Sequence, residues 1–287
     1  MFRDPKRLEI PVASWTGLST QEKEPYFAEA DREIDEVGIV VVARALPGDR
    51  CEELARLIEE EIRMACHIER VMHERRKGEI GYKIYNLQSR HPAFMELIAF
   101  PFLIEYFRRF LGPRMALHSS EGALIPPGAE GGGWHYDGHD RIPGYFLSMN
   151  AIYYLCDADV RNGATRYVPG THKEFISVQE AKSREAKYVS VKKGDLVMFN
   201  PYLIHAGSAN PSDANRPVII NYYQRGYIKQ GFDFPRSMSV SEVKRLTKDQ
   251  RTLLGFDHRV PLDVHELYMF RPPKVDDMDP IFPVKET

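Results

Sequence analysis

The sequence predicts a mainly β fold with flanking α-helices, in which N-terminal helices pack on a sandwich or jelly-roll barrel. Three observations carry this expectation. Roughly the first 110 residues show the three- and four-residue apolar spacing of helices, whereas the chain after Gly112 breaks into short β-rich runs between turn residues. Those runs are too irregularly spaced, and too free of intervening helices, for a parallel α/β sheet.

Taken in order, "STQEKEPYFAEADREIDEVG" opens on a Ser/Thr cap and predicts a helix stopping near Gly38, followed by a short buried strand in "IVVVARAL". A longer helix is expected from about Cys51 to Arg76, with Leu54, Leu57, Ile58, Ile62, Ala65 and Ile68 on one face. "HPAFMELIAFPFLIEYFRRFLG" predicts one or two further helices, broken at Pro101. Strands are expected at "MALHSSEGALI", "YFLSMNAIYYL", "TRYVP", "YVSV", "DLVMF" and "PVIINYYQRGY". Short helices follow in "SVSEVKRLTKDQRTLLGF", where Thr247 and Gln250 have capping-box spacing, and the Pro- and Asp-rich end from Arg271 predicts an irregular tail.

The 287 residues suit one elaborated domain: a helical part over 1–112, a barrel core over 113–228 and a C-terminal extension over 229–287. The extension is a candidate cover for the active site, or a homodimer contact. With 39 Lys+Arg against 41 Asp+Glu, the net charge of -2 provides no field for nucleic acid or anionic membrane, which points to a small-molecule partner. Cys51, Cys66 and Cys156 lie far apart and form no CxxC, against both a disulfide framework and a thiolate zinc site. No run approaches a membrane span of about 20 apolar residues, and the first 15 residues lack a signal-peptide core. A cytoplasmic location is the expectation.

The densest chemistry lies in "GGGWHYDGHD". In an extended chain His135 and Asp137 project to one face, able to take adjacent metal positions, while Tyr136 points away. A helical pair of His135 and His139, as in zinc proteases, is the competing arrangement; it lacks the Glu that should follow the first histidine and sits badly behind three glycines. An HxD pair alone carries little information. "KKGDLVMFNPYLIHAGSANPSDANRPVIINYY" adds a turn at Gly194, a strand, His205 and then Arg216. Antiparallel strands can bring His205 to the HxD pair, giving the two-histidine, one-carboxylate set of non-haem Fe(II) oxygenases with positions left open.

The HxD at 135–137, "NGATRYVPGTH" at 162–172 and "GDLVMFNPYLIHAGSANPSDANR" at 194–216 together resemble the phytanoyl-CoA dioxygenase family of Fe(II)/2-oxoglutarate-dependent oxygenases, over about residues 113–228. The resemblance implies a double-stranded β-helix, the cupin-like form of the jelly roll. It implies that His135, Asp137 and His205 ligate Fe(II), and that Arg216, eleven residues beyond His205, binds the distal carboxylate of 2-oxoglutarate. A planar guanidinium suits that role. The cofactors implied are Fe(II), 2-oxoglutarate as co-substrate and O2; the products are succinate, carbon dioxide and an oxidised, by default hydroxylated, substrate.

Where the family often places a hydroxyl two residues after the distal histidine, this chain has Gly207, with Ser208 next. Further co-substrate candidates are Lys83 in "GYKIYNL", Tyr153, Thr165 and Ser208. Candidate substrate contacts are His118, Trp134 and His139, whereas His172 is expected to be structural. The basic run "ERRKGEIGYK" is expected to be a solvated helix end. Related halogenases replace the carboxylate ligand by a small residue, so Asp137 disfavours halogenation. Trp134, Tyr136, Tyr145, Phe146, Tyr222 and Tyr223 suggest an apolar pocket and a secondary-metabolite or lipid-like substrate, and the three glycines a mobile approach to the metal. Two other readings of such a barrel are a binding protein without turnover, which the complete ligand set disfavours, and a cupin-like metalloenzyme that does not use 2-oxoglutarate.

Overall fold

The computed structural model of the protein describes residues 3–76, 81–138, 140–258 and 264. Its strands are β1 (Arg7–Leu8), β2 (Ile39–Val42), β3 (Tyr82–Tyr85), β4 (Ala116–Ile125), β5 (Ser148–Tyr154), β6 (Arg166–Tyr167), β7 (Lys187–Tyr188), β8 (Leu196–Phe199), β9 (His205–Ala206) and β10 (Arg216–Gln224). Seven form one sheet in the order β1-β2-β8-β5-β10-β4-β3, antiparallel except for β1 on β2; the order β7-β6-β9 makes a smaller sheet. The two sheets form the double-stranded β-helix core, and the expected fold class holds.

The large sheet divides two hydrophobic cores, because successive side chains of a strand point to opposite faces. On β5, Met149, Ala151 and Tyr153 join the core against the helices, while Ile152 and Tyr154 join the core inside the barrel. Burial on both faces explains why these strands read as near-continuous apolar runs. The helix side is covered by α1 (Thr20–Glu36), α2 (Gly48–Arg63), α3 (His67–Arg76), α4 (Pro92–Met95) and α5 (Pro101–Leu111).

The helix α1 starts in a capping box between Ser19 and Glu22. It ends where Gly38, at φ +84°, turns the chain into β2; a Cβ there would lie 3.0 Å from the His172 ring, so only glycine admits that ring. His172 also pairs through Nε2 with Asp35 O at 2.7 Å, and is structural as expected. Gly194, at φ +90°, makes the expected turn before β8, where a Cβ would come within 2.2 Å of Leu46 O.

Some elements differ from the sequence expectation. The single helix from Cys51 to Arg76 is two, α2 and α3, because Glu69 Oε2 accepts from Cys66 N at 3.1 Å and caps a new helix start. Leu54 and Ile58 are buried as predicted, but Ile68 is 74% exposed. The nominally helical first part also contributes β1 and β3 to the large sheet, beside the expected strand β2. The C-terminal extension forms helices at Val240–Val243 and Lys248–Leu253, the second with the predicted Thr247–Gln250 box. Leu253, Leu254 and Phe256 pack into the helix-side core, whereas Gly231 and Phe232 of the same extension line the cavity beside His135 and His205. His139, the tail from Arg271 and part of the basic run lie outside the described residues.

Candidate active site

The HxD segment is extended, as predicted, but it is held by β9 and not by a strand of its own. His135 N donates to His205 O at 3.0 Å and His205 N returns a bond to His135 O at 2.9 Å, so the two histidines face each other across an antiparallel bridge. Two residues on, Asp137 N donates to Pro201 O at 3.0 Å. Ahead of this, Gly131 and Gly132 lie close against the segment that follows β9, whereas a Cβ on Gly133 would meet nothing within 4 Å. Gly132 N donates to Gly207 O at 3.1 Å, and a Cβ on Gly131 would meet the Ser208 backbone at 2.7 Å.

One ligand atom from each of His135, Asp137 and His205 can be chosen so that all lie within 4.8 Å of one another. Each histidine Nε2 is 3.5 Å from a different oxygen of Asp137. His135 Nδ1 pairs with Gly133 O at 2.9 Å and His205 Nδ1 with Leu203 O at 3.0 Å. A carbonyl can only accept, so each Nδ1 carries the proton and each Nε2 directs its lone pair at the shared space. Surrounding protein and the neighbouring His205 hold the His135 pKa below its usual value, which favours the neutral, metal-binding imidazole. Two imidazoles and a carboxylate on one side, with no cysteine among them, fit an octahedral Fe(II) with open positions better than a closed zinc tetrahedron.

These residues open on a cavity of about 780 Å³ whose lining includes Arg216, Ser208, Thr165 and Tyr154 at one end and Lys83, Glu121, Ser119 and His118 along a wall. Arg216 is 4% exposed, its Nε has no hydrogen-bond partner, and among the described residues no carboxylate lies within ion-pair distance of it. Burial lowers its pKa. A buried, unpaired cation is costly unless an anion arrives, so the site is built to receive one. Ser208 Oγ, also buried and unpartnered, stands beside the same space, and Tyr154 OH bonds Thr165 Oγ1 at 2.8 Å.

The other predicted contacts divide. Lys83 lines the cavity but pairs with Glu121 at 2.8 Å. His118 lines it too, with Nδ1 2.8 Å from Gln224 Oε1; a bulge in the β4–β10 ladder beside it lets His118 and Ser119 share the cavity side. Tyr153 is a correction. It points behind the sheet, donating to Leu97 O at 2.9 Å, and its neighbour Tyr154 takes the cavity face. Trp134 is a second correction: it packs under Arg166, 4.7 Å from the ring, away from the cavity lining. Of the remaining aromatics, Tyr136 and Tyr222 line the cavity, Tyr223 lies behind the sheet bonded to Ile98 O, and Tyr145 and Phe146 lie elsewhere; the apolar part of the lining comes from Tyr85, Ile125, Ile152, Val218, Ile220 and Phe232.

Sequence reasoning missed the residues that hold Asp137. Asn150 Nδ2 donates to Asp137 Oδ2 at 2.6 Å, and Tyr222 OH donates to Asp137 O at 2.6 Å. Burial pushes the Tyr222 hydroxyl pKa up to about 12, so it stays protonated as a donor. The available signal was alternation along "SMNAIYY", which puts Asn150, Ile152 and Tyr154 on one face.

Residues 34–218 match the family model described as phytanoyl-CoA dioxygenase (PhyH). The chain is 27% identical over 202 residues to the uncharacterized protein Rv1501 of Mycobacterium tuberculosis, covering 67% of this chain and 73% of that one. It is 26% identical over 159 residues to a probable alpha-ketoglutarate-dependent hypophosphite dioxygenase of Stutzerimonas stutzeri, covering 51% and 54%. Among solved structures, HygX from Streptomyces hygroscopicus with nickel and 2-oxoglutarate bound superposes with a TM-score of 0.57 at 17% identity, over 74% of this chain and 90% of that one.

Proposed function

The chain belongs to the phytanoyl-CoA dioxygenase family and is an Fe(II)/2-oxoglutarate-dependent dioxygenase; from that premise we propose which residues carry the reaction and what it does. His135, Asp137 and His205 hold the iron, and Arg216 binds the distal carboxylate of 2-oxoglutarate, with Ser208 and the Tyr154–Thr165 pair beside it. The default reaction is hydroxylation of an unactivated C–H bond in a small molecule. The described residues work as one catalytic domain.

The observation that carries this reading is the pairing of a three-ligand cluster with a buried, unpaired arginine in one cavity. When bound, iron with 2-oxoglutarate and O2 supplies the oxidising chemistry, in which the co-substrate leaves as succinate and carbon dioxide. The chain's own residues fix geometry. The backbone bridge sets the spacing of the two histidines, the Leu203 and Gly133 carbonyls fix their tautomers, and Arg216 orients the co-substrate along the barrel. Substrate meets the polar wall of His118, Ser119, Glu121 and Lys83. No helix among the described residues is long and apolar enough to cross a membrane.

The test is a substrate screen with Fe(II) and 2-oxoglutarate that follows succinate and a product heavier by one oxygen. Succinate should form with the native protein and fall at least about 100-fold in Asp137→Ala. Native protein that binds iron but yields no succinate with any compound would refute the reading.

A further inference from the structure

Three residues from adjacent strands lie in one row of the large sheet directly beneath the metal cluster. Asn150 on β5 is the register partner of Phe199 on β8 and of Tyr222 on β10. Each touches a candidate ligand. The Phe199 ring stacks on His205 with centroids 5.1 Å apart and 17° between planes, Asn150 donates to the Asp137 carboxylate, and Tyr222 donates to the Asp137 carbonyl while bonded to Ser148 Oγ at 2.7 Å.

Asn150 is the informative member of the row. It is 8% exposed, and its bond to Asp137 Oδ2 fixes the orientation of its amide, since a carboxylate can only accept. That orientation leaves Asn150 Oδ1 buried with no partner. A buried acceptor without a donor destabilises the fold, and leucine, of similar shape and size, would remove it. A buried amide whose donor goes to a candidate ligand while its acceptor goes unused marks a residue serving the site.

We propose that Asn150 is a positioning residue: by donating to Asp137 Oδ2 it fixes the rotation of the carboxylate whose two oxygens face His135 Nε2 and His205 Nε2, and so sets how Asp137 meets the metal. This rests on the reading that His135, Asp137 and His205 bind the metal. Tyr222 supports the same ligand from its backbone, and Phe199 supports His205.

The experiment compares native protein with Asn150→Leu and Tyr222→Phe, using Co(II) as the probe. Co(II) affinity is measured by calorimetry, coordination by the visible absorption spectrum of the saturated protein, and stability by thermal melting without metal. For Asn150→Leu the melting temperature should change little, because the orphaned acceptor and the bond to Asp137 are lost together, while Co(II) affinity falls about 10- to 100-fold and the saturated spectrum changes. Tyr222→Phe should lower affinity by a smaller factor. Native Co(II) affinity and spectrum in Asn150→Leu would overturn the proposal, as would a variant that no longer folds, since either assigns Asn150 no role or a structural one. Failure of native protein to bind Co(II) would instead sink the triad on which the proposal stands, and native Co(II) binding without succinate formation would sink the reaction alone.

Discussion

Phe199 and His205 lie ring on ring, 5.1 Å between centroids at 17°, in a place where His205 is only 6% exposed. The imidazole is thus fixed in two ways: the stack sets its plane, and the bond from Nδ1 to Leu203 O sets its rotation within that plane. A ligand held this way binds metal without first surrendering side-chain freedom.

Replacing the ring tests that statement. Phe199→Leu should cost about 1 kcal/mol in a urea melt, as a near volume-conserving swap does, but weaken metal binding by a larger factor than that loss explains. Titration at a temperature where both proteins are fully folded separates the two effects. Unchanged metal affinity would show that the stack only packs.

Arg216 gives a prediction with opposite signs. Arg216→Met removes a buried charge that has no carboxylate partner, so the protein without ligands should become more stable, by about 1 kcal/mol. The KM for 2-oxoglutarate should rise about 100-fold, as expected for the loss of a charge-assisted, two-pronged contact worth roughly 2–3 kcal/mol. A KM that stays put while stability rises would place the co-substrate elsewhere.

Tyr153 and Tyr154 are adjacent in sequence and on opposite faces of the sheet. Tyr153→Phe strips the Leu97 carbonyl of its donor and should cost about 1 kcal/mol with no change in KM for 2-oxoglutarate. Tyr154→Phe breaks the contact with Thr165 at the Arg216 end and should raise that KM severalfold. Finding the two phenotypes exchanged would contradict the assignment of faces.

This pair also shows where the sequence was legible. The residues proposed as ligands stood out because metal chemistry restricts their type and because alternation alone places His135 and Asp137 together. Tyr153 lies on the helix-side face of a run that is buried on both sides, where Ser148 and Asn150, which share the face of Tyr154, are the only residues that set the phase. Asn150 offered a phase marker, but only once its bond to Asp137 is known. The strand β9 is two residues long, too short for any pattern, and the break between α2 and α3 uses a Glu69 cap where proline or glycine would have announced it. Trp134 stands beside His135 in sequence but packs under Arg166, whereas Tyr136, on the same side by alternation, lines the cavity.

The sheet keeps two inventories apart. The row proposed to steady the metal is internal to three central strands, whereas the wall proposed to face substrate is drawn from β4, the edge strand β3 and the segment at Gly231–Phe232. Edge strands and connecting segments tolerate replacement better than central rows. A lineage built on this frame can therefore exchange what it oxidises by rewriting the margin of one sheet, while inheriting its oxidising centre intact.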